Sequence, residues 1–264
     1  MSEHEAEALA DELRAVCALL EDALNELYAP LSDLARANLR ASEPPVRALA
    51  VLATGVRDNE EAALRERRIL LAAALEMLAV ALQIHGLLLG AAVAGASSIT
   101  AHGAATPQSD TQSDKQSVTH ELDRSLAGST ILTGDYCFSR AAVLAAQTNS
   151  ATVVSIFSQA LKNVSEARLR SLFGSAAATG ASYTQAGADQ ESVELVRAGV
   201  RGAAHMAALA PAQEQSARLL AETLATGGAL PGTAVTDPAL TAQQYARWQA
   251  AWRIATEGLH HTAP

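Results

Sequence analysis

Three residues of the sequence have the chemistry for acid–base work, provided that the fold brings them together. They are His85, His102 and Asp135. A histidine held by a carboxylate can accept or donate a proton near neutral pH, so a His–Asp pair could act as a general acid and base. The alternative is structural, because a buried histidine can simply hydrogen-bond a helix carbonyl. The sequence leaves both interpretations open.

Other chemical patterns indicate no catalytic, cofactor-binding or metal-binding residue. The remaining histidines have no metal-ligand spacing, and the sequence has no glycine-rich phosphate loop, Gly-x-Ser-x-Gly or Cys–His pattern. Cys17 and Cys137 lie among apolar helical neighbours, so both are expected to be small buried hydrophobic residues. Glu76 lies in an apolar helix and needs a basic partner, for which Arg140 is the candidate.

The composition favours helices and argues against a nucleic-acid partner. Hydrophobic residues make up 49% of the 264 residues, whereas aromatic ones make up only 3%. Alanine and leucine are strong helix formers, and strand-favouring residues are few. The formal net charge of −9 opposes binding to a phosphate backbone. The acidic N-terminal residues do not resemble a secretory signal, so a cytoplasmic location is expected.

The most apolar stretch, residues 70–99, has the length of a membrane helix, which needs ~20 apolar residues. Glu76, Gln83 and His85 interrupt it, and no Lys/Arg-rich segment follows to fix an orientation. We therefore expect a buried helix of a helical domain and no membrane span.

Helical periodicity predicts an all-α fold. One apolar stripe near the N-terminus alternates spacings of three and four. Its members are Leu9, Leu13, Val16, Leu20, Leu24, Leu27, Leu31 and Leu34. Pro30 is expected to bend or divide this helix. Further helices are predicted over 46–54, from 62 through the apolar stretch, and over 118–147, 152–173, 189–209, 211–226 and 240–259.

Two segments are predicted to lie outside the helices. Residues 97–117 are rich in Ser, Thr, Gln, Asp, Gly and His, which is typical of a long polar loop. Residues 260–264 are predicted to be a loose tail. Residues 1–264 are thus expected to form a single helical domain of roughly eight to ten helices.

Residues 74–85 carry a resemblance to a known family. They read Ala-Leu-Glu-Met-Leu-Ala-Val-Ala-Leu-Gln-Ile-His. This resembles the helix that delivers the first aspartate-rich motif of trans-prenyl diphosphate synthases, in which Asp-Asp-x-x-Asp holds magnesium against a substrate diphosphate. Here the five following positions are Gly86, Leu87, Leu88, Leu89 and Gly90. The resemblance implies an isoprenoid-synthase-type bundle with a degenerate first motif.

A second segment strengthens the resemblance. Residues 127–141 resemble the family segment in which Gly-Asp-Tyr follows small apolar residues, and 165–169 partly resemble its Glu-Gly-Glu stretch. The family's diphosphate-binding arginine pair corresponds to Ala101 and His102. The approach to the second aspartate-rich motif resembles 199–210. The acids expected there are replaced by Ala208, Leu209 and Ala210.

The missing residues decide which chemistry the resemblance implies. Prenyl transfer ionises an allylic diphosphate, and magnesium with basic side chains stabilises the departing pyrophosphate. Leucine and glycine side chains offer no oxygen to a hard cation. We therefore expect Mg²⁺ binding to be lost, no other cofactor, and no synthase activity of the chain on its own. An enzyme with rewired, metal-independent chemistry stays open as a minor alternative.

Two functions are consistent with such a protein. The first is a non-catalytic, regulatory subunit that pairs with a motif-bearing synthase in isoprenoid biosynthesis and shapes its product tunnel. The resemblance places this tunnel at Leu78, Ala81 and Leu82, so Ala81→Phe should shorten the product. The resemblance implies that the dimer would pack through the helices flanking 128–146 and the helix over 70–84. The second is a homo-oligomeric helical protein that binds an apolar prenyl or lipid chain without chemistry.

Overall fold

The computed structural model describes residues 2–42, 44–57, 60–101, 111–173, 185–229 and 239–257. Nine α-helices lie in these ranges. They are α1 (Ser2–Asn25), α2 (Ala29–Ala41), α3 (Val46–Thr54), α4 (Ala62–Ala101), α5 (Thr111–Gln147), α6 (Ala151–Phe173), α7 (Gln185–Met206), α8 (Pro211–Ala225) and α9 (Ala242–Glu257). The described chain has no strand, so the predicted all-α class and helix number are confirmed.

The shortest helix lies at the centre of the bundle. From Arg47 to Thr54 every residue of α3 is buried, and the helix packs against α1, α4, α7, α8 and α9. Gly199 of α7 allows the closest of these approaches, because a Cβ there would lie 2.7 Å from Val51 and 2.8 Å from Leu75. A larger residue at this position would push α7 away from both α3 and α4.

A buried carboxylate connects three distant helices. Glu12 of α1 accepts hydrogen bonds from Arg68 of α4 at 2.9 Å and from Arg247 of α9 at 3.1 Å. Arg247 also donates to Glu5 at 2.6 Å, and Arg68 to the backbone carbonyl of Gly55 at 2.8 Å. Because these charged groups are buried together, each of them would destabilise the fold without its partners of opposite charge. The network therefore holds the C-terminal helix against the N-terminal one.

The long helix α4 supplies much of the core. Its segment Ala62–Leu88 contains an 18-residue window with a mean hydropathy of 1.8, enough for a membrane span by length and composition. The bundle nevertheless buries 72% of the apolar window of that segment, as expected for a core helix. The side chains from Leu71 to Leu82 are all buried among neighbouring helices.

The helix ends agree with the sequence in some places and differ in others. Pro30 lies in the first turn of α2, and α1 ends before it at Asn25, so the predicted division is confirmed. The predicted loop over 97–117 is shortened at both ends, because α4 continues to Ala101 and α5 begins at Thr111. Residues 102–110 and the predicted tail at 260–264 lie outside the described residues.

Candidate functional site

The three predicted tunnel residues lie on one stretch of α4, facing the core. Leu78, Ala81 and Leu82 are all buried, and they belong to the main hydrophobic cluster with residues of α3, α5, α6 and α7. None of the three residues lines the cavity beside Arg57 and Met206 or the cavity beside Leu13 and Glu76. Their role in a tunnel stays a prediction.

The five residues 86–90, which were predicted from the sequence to replace the first aspartate-rich motif, continue α4 without a break. Gly86 and Leu88 are half-buried, and Leu87 is 52% exposed. Of Leu89 and Gly90 only the backbone is described. No side chain among these five can offer an oxygen ligand to Mg²⁺, which binds carboxylates and other hard oxygen donors. The residues present at this stretch therefore do not fit a magnesium site.

A cation from α6 lies beside this stretch. Arg168 donates a 2.5 Å hydrogen bond from Nη1 to the backbone carbonyl of Leu82, and a Cβ on Gly86 would lie 3.7 Å from the same nitrogen. Glu191 of α7 holds the guanidinium through two hydrogen bonds, of which the one from Nη2 to Oε2 measures 2.7 Å. The positive charge is therefore neutralised within the chain, next to Gly86.

The structure brings His85 and Asp135 together, as the acid–base hypothesis requires. His85 Nε2 lies 3.3 Å from Asp135 Oδ1, and its ring stacks on Phe138 with centroids 5.1 Å apart. Gly134 makes room for the ring, since a Cβ there would come within 2.6 Å of His85 Cε1. Asp135 is largely exposed, so water reaches the His85–Asp135 pair. The pair therefore lacks the water-free surroundings of a closed active site, in which electrostatic interactions are stronger. His102 lies outside the described residues.

The partner predicted for Glu76 is wrong. Glu76 is paired with Arg47 of α3 and also accepts a 2.9 Å hydrogen bond from the Ala48 backbone N–H. Arg140 instead forms an ion pair with Glu26, with 3.3 Å between Nη2 and Oε1. The reason is tertiary, because the closest helix facing Glu76 is α3, which the periodicity of α4 could not reveal.

The two cysteines differ from each other. Cys137 is buried as predicted, and burial raises the pKa of its thiol to about 12, so it is unreactive near neutral pH. Cys17 is exposed, which contradicts the prediction of a buried residue. It belongs to α1 and lies at the edge of the stripe formed by Leu13, Val16 and Leu20, where its side chain is open to solvent.

Residues 208–210, which were predicted from the sequence to replace the second aspartate-rich motif, lie in a turn. Helix α7 ends at Met206, and Ala208 takes a left-handed conformation with φ 50°. The Leu209 N–H donates a 3.0 Å hydrogen bond to the Ala204 carbonyl, which is a common helix C-cap. Neither this turn nor any other part of the described chain gathers three or more His, Cys, Asp or Glu side chains that could hold a metal.

The geometry defines a helical bundle of the isoprenoid synthase type, and comparison with solved structures identifies the proteins that share it. The chain is similar to a polyprenyl synthase from Caulobacter crescentus CB15, crystallised with calcium and isoprenyl diphosphate. The sequence identity is 18% and the TM-score 0.53, over 85% of this chain and 66% of that one. It is also similar to a decaprenyl diphosphate synthase from Rhodobacter capsulatus, with 20% identity, TM-score 0.52, and 85% and 64% coverage.

These comparisons confirm the resemblance to trans-prenyl diphosphate synthases at the level of the fold. No protein-family model and no curated protein matches the sequence. The chain spans just under two thirds of the length of the two synthases. Identities of this size establish a shared architecture and leave the chemistry to be argued from the residues themselves.

Sequence reasoning missed two functional features of this region. The pairing of Arg168 with Glu191 joins residues 23 positions apart on different helices, so no local pattern predicts it. The second feature is an exposed face of α5, defined by Gly128, Ile131, Leu132, Asp135, Ser139, Ala142, Val143 and Ala146. Its spacing of three and four residues was visible in the sequence, but the same spacing would fit a buried face.

Proposed function

We propose that this protein is a non-catalytic, regulatory subunit of a heteromeric trans-prenyl diphosphate synthase, a cytoplasmic enzyme of isoprenoid biosynthesis. The observation that carries the proposal is the α5 face. Leu132 is 65% exposed, Ile131 45% and Val143 44%. A helix face of 19 residues is about 27 Å long, and apolar side chains exposed along such a length mark a protein contact.

The residues of the inner site support a subunit without chemistry of its own. Positions 86–90 and 208–210 carry only Gly, Leu and Ala. Arg168, which could otherwise attract a diphosphate, is bound to Glu191 and to the Leu82 carbonyl. A catalytic partner would then supply the magnesium ligands and the diphosphate-binding arginines, while this chain contributes the exposed apolar side chains of the α5 face.

The charge on the α5 face favours a different chain over a second copy as the partner. Asp135 is the one charged residue among the eight that define the face, and the face has no Lys or Arg. Two copies packed face to face would bury two carboxylates with only His85 beside each. A partner with a basic side chain opposite Asp135 would remove this desolvation cost.

The other helix predicted for the interface is not available to a partner. The segment over 70–84 lies within the core of this chain, with Leu71–Leu82 buried by its own helices. The predicted interface is therefore reduced to the α5 face. This face and the start of α6, where Val154 is also exposed, are the surface that we expect the partner to cover.

The test is purification of the tagged chain from its own cells, followed by mass spectrometry and an activity assay. We expect a stoichiometric synthase that carries Asp-Asp-x-x-Asp. Leu132→Glu should weaken the complex at least about tenfold, because it places a charge in a desolvated contact. The matched control is Leu219→Glu, which changes an exposed leucine of α8 and should leave the complex intact.

The alternative function gives a different result in the same experiment. A homo-oligomeric prenyl- or lipid-binding protein would purify without a synthase, as copies of one chain with an apolar ligand retained through the procedure. Recovery of the chain alone, in a single oligomeric state that Leu132→Glu does not change, would contradict the subunit proposal.

A further inference from the structure

A cavity of about 210 Å³ lies between α1 and α2, on a part of the bundle that the proposed subunit role does not use. Leu13, Val16 and Leu20 of α1 and Leu39 of α2 form its apolar walls. Its inner end reaches the buried Glu76 of α4, whose charge is matched by Arg47. The inside of the cavity therefore presents apolar walls and no uncompensated charge.

The rim of the cavity has an excess positive charge. Glu21, Arg36 and Arg40 all line it. Arg36 is already engaged, because it donates a 3.0 Å hydrogen bond to Glu21 Oε2 and further bonds to Asn25 and Ser32. Arg40 is exposed, and its guanidinium makes no hydrogen bond or ion pair within the ranges that the structure describes. One cation is therefore left over, in a protein whose net charge is −9.

We propose that this cavity binds an anionic amphiphile, with the acidic head group on Arg40 and a short unbranched apolar chain between α1 and α2. A pocket with apolar walls and one placed charge selects for such ligands. A group of methylene size takes up as much room as a water molecule in the liquid, ~30 Å³, so 210 Å³ admits about seven such groups beyond those that lie at the rim beside Arg40. The inference is independent of the subunit role, since it uses none of the residues of the α5 face.

Fatty acids of graded length test the proposed binding by isothermal titration calorimetry on the full chain. From hexanoate to decanoate, the dissociation constant should fall about fourfold per added methylene, as expected for burial in an apolar pocket. The gain should stop at longer chains, because Glu76 and Arg47 close the inner end. Decyl phosphate replaces decanoate in a second series and shows which acidic head group is preferred.

Charge-reversal variants separate this cavity from unspecific adsorption. Arg40→Glu should weaken decanoate binding at least about tenfold and leave binding of the neutral 1-decanol unchanged. The control variant Arg201→Glu reverses the charge of an exposed residue on α7, and it should change the binding of neither decanoate nor 1-decanol. Because both arginines are exposed, neither variant should impair folding.

Cys17 provides a second, direct readout because it lines the cavity. Maleimide should modify Cys17 in preference to the buried Cys137, and decanoate at ten times its dissociation constant should slow the modification about tenfold. Three results would each overturn the proposal. They are no decanoate binding below millimolar concentrations, equal binding by Arg40→Glu, and saturation that leaves Cys17 labelling unchanged.

Discussion

Glu76 of α4 and Arg47 of α3 form an ion pair at the centre of the bundle, with 2.8 Å between Oε2 and Nη2. The other carboxylate oxygen, Oε1, accepts the Ala48 backbone N–H at 2.9 Å. Both oxygens of a buried acid are thus satisfied by the first turn of one short helix. This contact fixes how α3 lies on α4, and α3 in turn contacts most of the other helices.

Glu76→Gln should lower the free energy of unfolding by about 3 kcal/mol, because it leaves the buried Arg47 guanidinium without a counter-charge. Urea denaturation followed by circular dichroism measures the loss. The matched control is Glu166→Gln, which removes an exposed carboxylate paired with Lys162 and should change stability by less than about 0.5 kcal/mol. Equal effects of the two variants would show that the Arg47 pair is not an essential part of the core.

Gly134→Ala should destabilise the protein by about 1–2 kcal/mol, because the new methyl group would overlap the His85 ring and displace it from Phe138 and Asp135. Gly128→Ala on the same helix meets nothing within 4 Å and should stabilise it by about 0.5–1 kcal/mol through helix propensity. Thermal unfolding distinguishes the two. A stabilising Gly134→Ala would mean that the His85 ring can leave this position without cost.

Glu222→Gln should reduce stability near neutral pH and have no effect in acid. The Arg197 hydrogen bond lowers the pKa of the Glu222 carboxyl below its usual value. A carboxyl whose pKa is lowered by folding stabilises the protein above its unfolded-state pKa, and this contribution disappears as the pH falls through the folded-state value. Both side chains are partly exposed, so we expect less than about 1 kcal/mol.

Unfolding measured at pH 7 and pH 3 tests the role of Glu222. Glu257→Gln, an exposed residue near the end of α9, serves as the control and should show a small effect that is similar at both values. If the effect of Glu222→Gln were also independent of pH, the Arg197 contact would contribute nothing to folding.

Ala81→Phe should shorten the product of the complex if the product tunnel passes beside α4 of this chain. Ala81 is buried in a packed core, so the added ring should also cost about 1–3 kcal/mol of stability. Ala74→Phe, two turns earlier on the same side of α4 and equally buried, is the matched control for that cost. Chromatography of the products from both complexes gives the answer. If the complex that contains Ala81→Phe makes a product of unchanged length, Ala81 has no role in the product tunnel.

Local sequence signals located most of the helices. The three-and-four spacing of apolar residues and the positions of Pro30 and Pro211 predicted α1, α2, α3 and α8 within a few residues. The loop prediction over 97–117 was less accurate, because polar composition does not prevent a helix from continuing when a long neighbour packs along it. Here α4 and α5 pack along each other, and each extends into the predicted loop.

By itself, the sequence determined the all-α class, the core position of α4 and the absence of acidic residues at 86–90, because these depend on composition and short-range spacing. Only the tertiary structure decided which charges meet. Glu76 pairs with Arg47, Arg168 with Glu191, and Glu12 with an arginine 235 positions away. Such pairs form where helices distant in sequence cross, and a crossing depends on the packing of the whole bundle.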